Sequence, residues 1–362
     1  MYKGVNLGGW LIQESWMTPV PGKDREWANL DTIKALEKKF TKEQVQELFD
    51  TYQDNWITEF DFKTISEAGC NLVRIPFWYR NFMDNEYGNW ITEDHNDNPG
   101  FKRLDWAIEM AEKYNLSVVL DLHGAPGGQS MDHSSGTLKE NRLYTDEKCQ
   151  QAMEDLWIAI AERYKDKDAV VLYDIMNEPQ NNSGYEGENS YDPWEPKSWE
   201  LSNKIYDRMY HAIRKIDKDT KISMEAIWQI SNLPDPKTLG WENVVYQMHL
   251  YDDDQRFLEN AISLKNACEK YNVDPYIGEF SNLNGIKIAN DLGISWTTWT
   301  YKGTNKNLDN FFWYFSYEPE SIDLEKDSFE EMKEKWGEIL QTEKSFNLQN
   351  GTFNIISKGL KD

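Results

Sequence analysis

Two glutamates end apolar segments that have the character of buried strands. Glu178 follows LYDIMN at 172–177, and Glu279 lies near the end of DPYIGEF at 274–280. Hydrolysis of an acetal needs one acid that protonates the leaving oxygen and one anion that meets the developing oxocarbenium ion. Two glutamates supply both roles if their surroundings push their pKa values apart. The pair therefore predicts hydrolysis of glycosidic bonds.

Other polar side chains are placed to assist this pair. We expect the Asn177 amide to donate a hydrogen bond to a sugar 2-hydroxyl, a contact that strengthens in the transition state. Arg74, placed near the end of the second predicted strand, is expected to hold Glu279 ionised through charge and hydrogen bonding. Tyr251 is expected to orient the same carboxylate.

Histidines and a tryptophan complete the set. His123 ends the third predicted strand, His249 the sixth, and Trp299 lies in the eighth. We expect His249 to lie close to Glu178 and to influence its proton. A single histidine or carboxylate at such a place is more often structural, as a hydrogen-bonding group or a helix cap. Polar groups at six strand ends together favour a functional interpretation.

The elements that must position these residues recur along the chain. Apolar, β-branched runs alternate with longer amphipathic stretches, the pattern of repeated strand and helix units around a parallel sheet. The strands are predicted at 2–8, 71–77, 116–123, 169–177, 221–227, 243–251, 274–280 and 293–301. The clearest helical patterns fall at 101–115, 146–166, 196–217 and 255–272, and 329–340 is predicted to supply the last outer helix.

Eight units without a Pro/Gly/Ser-rich linker predict a single (β/α)8 TIM barrel over residues 1–362. In such a barrel the functional groups gather at the C-terminal ends of the strands. Glu178 and Glu279 then face one another across the barrel mouth.

Composition excludes several classes of partner. Acidic residues outnumber basic ones 63 to 39, for a net charge of −24, which argues against nucleic acids and anionic membranes. The chain is 14% aromatic, with 16 Trp, 19 Tyr and 15 Phe, more than a core alone requires. Aromatic surfaces bind flat, partly apolar ligands, and sugars are such ligands.

The cysteines and the N-terminal residues give no sign of a metal or an export signal. Cys70, Cys149 and Cys268 have no metal-type spacing, so we expect neither a metal nor a cofactor. MYKGVNLGGW lacks a basic and then apolar leader, and no stretch approaches the length of a membrane helix. We expect a cytoplasmic protein, or a secreted one from which a signal has been removed, and a monomer by default.

Seven sequence motifs together resemble those of a known enzyme family. The segments GVNLGGWLIQESWMTP, VRIPF, DLHGAPG, IMNEP, MHLY, YIGEF and WTTWTYK occur in the order found in glycoside hydrolase family 5, between residue 4 and about residue 302. The first of these, and the extended motif DLHGAPGGQSMDHSSG, resemble the exo-β-1,3-glucanase branch and its bacterial relatives.

The resemblance implies a retaining mechanism with Glu178 as acid/base and Glu279 as nucleophile. It also implies that Glu14 and His123 bind the sugar whose bond is cut. For Glu14 the alternative is a structural role, capping a turn or pairing with a base such as Arg25. Trp299 is the best candidate for the floor under the reacting sugar, because ring C–H groups stack on aromatic faces.

Five further tryptophans fall in predicted loops after strands one, two and four. Each alone fits core packing, and together they favour a carbohydrate groove or pocket. They are Trp16, Trp78, Trp90, Trp194 and Trp199.

The sequence thus predicts a retaining β-glycosidase acting on β-glucans or gluco-oligosaccharides. We expect it to cleave sugars from the chain end and to prefer β-1,3 links. An endo-β-1,4-glucanase and a β-glucosidase or other β-glycosidase of the same family remain alternatives, because the long loop at 181–196 reshapes the barrel mouth. Outside this class, the alternatives are a catalytically inactive carbohydrate-binding barrel and a metal-dependent hydrolase. The dispersed histidines argue against the second.

Overall fold

Eight parallel strands close into a barrel in sequence order, with β1 paired to both β2 and β8. The computed structural model describes residues 1–22, 26–182, 192–305, 307, 311–316 and 319–361. The strands are β1 Lys3–Asn6, β2 Leu72–Trp78, β3 Ser117–Gly124, β4 Val170–Asp174, β5 Lys221–Glu225, β6 Val244–His249, β7 Asp274–Glu279 and β8 Ser295–Thr298. The predicted (β/α)8 TIM barrel is confirmed.

The strands are apolar on both faces because helices cover the barrel and side chains fill it. In β2, LVRIPFW, every residue is buried. One cluster inside the barrel draws on five strands and is separate from the layer between strands and helices. It comprises Leu72, Val119, Leu172, Val245 and Tyr276.

The outer layer consists of helices with one apolar face, several of which are capped at the N-terminus by a side chain. Thr41 caps the second helix through the backbone N–H of Gln44, and Asp253 caps the eighth through that of Arg256. No helix in the described part of the chain is long and apolar enough to cross a membrane. The helices are α1 Asn29–Leu36, α2 Lys42–Trp56, α3 Glu59–Ala68, α4 Pro99–Lys113, α5 Glu147–Tyr164, α6 Pro196–Arg214, α7 Pro236–Leu239, α8 Asp254–Tyr271, α9 Asn284–Leu292, α10 Phe329–Lys335, α11 Thr342–Ser345 and α12 Asn350–Lys361.

The C-terminal segment differs from the prediction. The stretch 329–340 forms the short α10 and a 3-10 turn, and α10 packs against α2. The last helix of the outer layer is α12, which packs against α9 on the barrel. Lys302 anchors the connection, because its buried Nζ donates to Leu340 O and to Thr342 Oγ1, each at 2.9 Å.

Two predicted strand ends also need correction. Arg74 is the third of seven residues in β2, not near its end, so it lies within the barrel wall. Strand β4 ends at Asp174, and Asn177 and Glu178 follow it in an irregular segment. In contrast, His249 and Glu279 are the last residues of β6 and β7.

Candidate active site

A buried arginine inside the barrel joins several strands. The Arg74 side chain has no exposed surface, and each of its five N–H groups needs an acceptor once it is removed from water. Five side-chain oxygens lie 2.7 to 3.1 Å from its nitrogens. They belong to Asn6, Asp121, Asp174, Asn177 and Glu279. Residues from β1, β3, β4 and β7 are therefore fixed relative to one guanidinium.

The acceptors around this arginine are held in turn. Asn6 Nδ2 donates to the carbonyls of Gly278 and Thr298, at 2.9 and 3.1 Å. Gln247 Nε2 donates to Asp174 Oδ1 at 2.7 Å. Because both oxygens of the Asp174 carboxylate and both ends of the Asn6 amide are engaged, neither side chain is free to rotate.

The charges of this cluster act strongly on one another. Burial lowers the pKa of Arg74, but Asp121, Asp174 and Glu279 raise it well above its ordinary value. Burial raises the pKa of Asp174 to about 6, even though Arg74 lowers it. The guanidinium stays charged. Among the described residues, Arg74 and His249 are the two basic side chains in direct contact with Glu279.

Glu279 is held by a donor on each carboxylate oxygen. Arg74 Nη1 donates to Oε1 and Tyr251 Oη donates to Oε2, both at 2.7 Å. The Glu279 side chain is only 5% exposed. Hydrogen bonds of this length on both oxygens fix the orientation of the carboxylate.

Glu178 has a strained backbone and lies beside Glu225 and His249. Its φ of +41° lies in the left-handed region, which costs roughly 1–2 kcal/mol for a residue with a side chain. Its backbone N–H donates to Glu225 Oε2 at 2.7 Å, and Asn181 Nδ2 donates to its Oε2 at 3.2 Å. Burial raises the pKa of Glu178 to about 7, assisted by the negative charge of Asp132. The carboxyl therefore keeps its proton to near neutral pH.

His249 connects the two glutamates. Its Nδ1 lies 3.0 Å from Glu178 Oε1, 3.4 Å from Glu225 Oε1 and 3.5 Å from Glu279 Oε2. Burial lowers the pKa of His249 to about 3, so the imidazole is neutral. In the tautomer that has its proton on Nδ1, the imidazole donates towards these three carboxyl oxygens.

His249 and two of these carboxyl groups are the ones in the described structure that lie close enough to hold a metal ion. Donor atoms of Glu178, Glu225 and His249 lie within 4.8 Å of one another. Their mutual contacts, together with the backbone hydrogen bond to Glu225, already account for their positions without an ion.

The other predicted sugar-binding residues surround this pair. His123 Nδ1 contacts Asp121 Oδ2 at 2.7 Å, and its ring stacks on Trp299 with centroids 5.4 Å apart and planes at 11°. Trp299 is 3% exposed, so little of its face is open to a sugar. The Asn177 Oδ1 accepts from Arg74, while its buried Nδ2 has no hydrogen-bond partner among the described residues.

Glu14 forms a second charged group in the site. It is buried, accepts a hydrogen bond from Trp16 Nε1 at 2.7 Å, and lies 3.1 Å from His133 Nε2. His133 Nδ1 also contacts Asp132 closely. Burial lowers the pKa of His133, but the two carboxylates outweigh it and raise the pKa to about 9. The alternative partner Arg25 lies outside the described residues.

The predicted tryptophans separate into core and surface. Trp78 is 2% exposed and Trp90 packs on His95, whereas Trp194 is 62% exposed. Trp16 is half-buried, contacts Glu14, and lies against Phe311 and Phe312. Trp199, in α6, is half-buried.

Several residues of the site were not singled out from the sequence. Asp121 and Asp174 lie within strands, where a polar residue among apolar ones was the available signal. Glu225 ends β5, and Trp228 follows it with 44% exposure and a φ of +58°. Trp228 lines a small cavity beside Glu178, about 20 Å³ in volume.

The ion pair between Glu14 and His133 predicts a pH-dependent stability. The folded pKa of His133, about 9, exceeds its ordinary value of 6.5, so the folded state binds the proton more tightly. This contribution is complete below about pH 6.5 and is lost as the pH rises through 9. We expect the free energy of unfolding to fall by up to about 3 kcal/mol over that interval.

Urea denaturation at pH 6 and at pH 10 would measure this loss. His133→Gln should reduce the difference between the two pH values, whereas His211→Gln, a change at an exposed histidine of α6, should retain the wild-type difference. An equal pH difference in wild type and His133→Gln would contradict the assignment.

Known proteins resemble this chain in sequence and fold. The family model described as "Cellulase (glycosyl hydrolase family 5)" matches residues 33–317. A "Beta-xylosidase" of Phanerodontia chrysosporium is 29% identical over 69% of this chain and 48% of its own length. A "Glucan 1,3-beta-glucosidase 2" of Wickerhamomyces anomalus is 29% identical over 74% of this chain and 60% of its own length. The chain thus spans about half to three fifths of these relatives.

Solved structures share the fold at low sequence identity. The rutinosidase of Aspergillus niger superposes with a TM-score of 0.65 and 16% identity, covering 84% of this chain and 90% of its own. Cel5A of Thermotoga maritima gives a TM-score of 0.56 and 20% identity, covering 92% and 96%. Since the family model covers most of the barrel and its strand-end residues, the chain belongs to glycosyl hydrolase family 5.

Proposed function

We propose that this protein is a retaining β-glycosidase that hydrolyses β-glucans or gluco-oligosaccharides by double displacement. Glu279 acts as the nucleophile and Glu178 as the acid/base. The observation that carries the proposal is the contrast between the two carboxyl groups at one imidazole: Glu279 accepts hydrogen bonds from Arg74 and Tyr251, whereas burial raises the pKa of Glu178 to about 7.

Each glutamate suits one half of the reaction. In the first step Glu279 attacks the anomeric carbon while Glu178 gives its proton to the leaving oxygen, so a covalent glycosyl-enzyme forms and the alcohol departs. In the second step Glu178, now ionised, takes a proton from water. The resulting attack on the anomeric carbon releases the sugar and restores both groups.

The distances around His249 support retention rather than inversion. Glu178 Oε1 and Glu279 Oε2 lie 3.0 and 3.5 Å from the same Nδ1, so they are closer together than the combined length of these contacts. Retaining enzymes keep their carboxyl groups about 5–5.5 Å apart, and inverting enzymes need room for a water between them, at about 6.5–9.5 Å.

We propose supporting roles for the remaining site residues. The Asn177 Nδ2, which has no hydrogen-bond partner among the described residues, donates to the sugar 2-hydroxyl. His123 binds a hydroxyl group of the reacting sugar, and the small exposed part of Trp299 contacts the sugar ring. Glu14, charged and paired with His133, accepts hydrogen bonds from sugar hydroxyl groups. Arg74 and Tyr251 hold the nucleophile, and His249 holds the acid/base.

The preference for β-1,3 links and chain-end cleavage rests on the relatives. Several of them are named glucan 1,3-beta-glucosidases. The relative named beta-xylosidase makes a xyloside a second candidate substrate.

We also propose that residues 1–362 act as one catalytic domain. Lys3 Nζ and Asn290 Nδ2 both donate to the carbonyl oxygen of Gly359, at 3.3 and 2.6 Å. These contacts join α12 to the first strand and to α9, which supports a barrel that includes the C-terminal segment.

Replacement of the nucleophile should abolish turnover. Glu279→Gln keeps the size and one acceptor oxygen but removes the charge that attacks the anomeric carbon, so kcat for an aryl β-glucoside should fall at least about 10³-fold. Turnover equal to that of the wild type would remove Glu279 as nucleophile. Glu242→Gln, at a residue between α7 and β6, serves as a control that should retain activity.

Replacement of the acid/base should depend on the leaving group. Glu178→Ala should lower kcat/KM about 10²- to 10⁴-fold for phenyl β-glucoside and far less for 2,4-dinitrophenyl β-glucoside, whose phenolate needs no proton. In the wild type, kcat/KM for the phenyl glucoside should fall as the pH rises above about 7, because Glu178 then loses its proton. Equal losses on the two substrates would rule out this role.

A panel of polysaccharides would identify the substrate. β-1,3-, β-1,4-, β-1,6- and mixed-link glucans, with mannan and xylan, would be incubated with the enzyme and the products followed over time. We expect glucose as the only early product from the β-1,3-glucan, as chain-end cleavage requires. Early release of mixed oligosaccharides would show endo action instead.

A further inference from the structure

We infer that Glu225 is a positioning residue that holds the proton-donating Glu178 in its working orientation. The inference rests on the proposed function, because it assigns a task within the same reaction. Glu225 is the last residue of β5, and its two carboxyl oxygens contact the backbone N–H of Glu178 and the imidazole of His249.

Glu225 fixes the backbone of the acid/base. Its Oε2 accepts the backbone N–H of Glu178 at 2.7 Å, in a segment that follows the end of β4. The preceding residue, Asn177, donates its own N–H to the carbonyl of Leu122 in β3 at 3.1 Å, so the Glu225 carboxyl continues this restraint by one residue. Glu178 has a φ of +41°, a conformation that residues with side chains rarely adopt. A strained residue of this kind persists only where its surroundings over-determine it, and the carboxyl of Glu225 is one such restraint.

Glu225 also restrains the side chain of the acid/base through the imidazole. Its Oε1 lies 3.4 Å from His249 Nδ1, and the same nitrogen lies 3.0 Å from Glu178 Oε1. The backbone and the side chain of Glu178 are therefore tied to one buried carboxyl group. Movement of Glu225 would displace both ends of the proton donor together.

The position of Glu225 is itself well defined. The hydroxyl of Tyr206, on α6, accepts the Glu225 backbone N–H and donates to the Glu225 carbonyl oxygen, both at 3.1 Å. The next residue, Ala226, donates its N–H to the carbonyl of Gln247 in β6 at 2.9 Å. The Glu225 side chain is 4% exposed. A group held this firmly can transmit its position to a neighbour.

The restraint does not need a negative charge. Burial raises the pKa of Glu225 well above its ordinary value, and the charge of Glu178 raises it further. A neutral acceptor oxygen suffices for the N–H of Glu178, and the amide of glutamine supplies one. Glutamine at position 225 should therefore preserve the arrangement, whereas alanine should remove it.

Two aryl β-glucosides with the same sugar would test the inference. In Glu225→Ala we expect kcat/KM to fall about 100-fold for phenyl β-glucoside and less than about threefold for 2,4-dinitrophenyl β-glucoside, the pattern of impaired proton donation. Glu225→Gln should restore the phenyl glucoside rate to within about fivefold of wild type. Ser223→Ala, at a buried residue of the same strand, should match wild type on both substrates.

A purely structural role would give a different pattern. Equal losses on the two glucosides in Glu225→Ala, no loss on either, or failure of Glu225→Gln to restore the phenyl glucoside rate would each overturn the inference. Thermal melting of all variants would be compared with wild type, and Glu225→Gln keeps the test decisive if the alanine variant does not fold. If Glu178→Ala itself treats the two substrates equally, the proposed function fails and the inference fails with it.

Discussion

One buried positive charge organises this barrel. The Arg74 guanidinium has no contact with water, so each of its donors must meet an oxygen, and the chain supplies those oxygens from four other strand sectors. The requirement works in both directions. One buried oxygen of each of Asn6, Asn177 and Glu279 would lose its donor without the arginine, and the arginine would lose three of its acceptors without them. The site is thus a single electrostatic unit built across the barrel interior.

The roles of the two glutamates follow from whether each contacts the Arg74 guanidinium. Glu279 lies within this electrostatic unit and accepts a hydrogen bond from the arginine, whereas Glu178 lies just outside it, next to a neutral histidine and a second buried carboxyl. Two residues of the same type are therefore given different hydrogen-bond partners by their neighbours. The loops that shape the sugar pocket can vary without changing the surroundings of Glu178 and Glu279. One fold can therefore serve many glycosides.

Much of the fold was predictable because strands covered on both faces appear as apolar runs, and the barrel orders them by sequence. Glu178 and Glu279 were predictable because each ends such a run. Asp121 and Glu225 were not, since the partner that a polar strand residue meets depends on the stagger between neighbouring strands, which no local pattern reveals. For the stretch 329–340 the helical pattern was read correctly in part, since 329–335 form α10. Its packing against α2 was not predictable, because that contact joins segments far apart in the sequence.

The pairing of β1 with β8 joins Lys3 to Trp296, and the contact between Arg74 and Glu279 spans 205 positions. Loop closure over such separations is slow, and it comes after helices and neighbouring strands have formed. A partly closed barrel would contain most of the secondary structure and none of the assembled site. During refolding, the return of activity would therefore mark the last event of assembly, and a chain cut between these sectors would regain its helices without its chemistry.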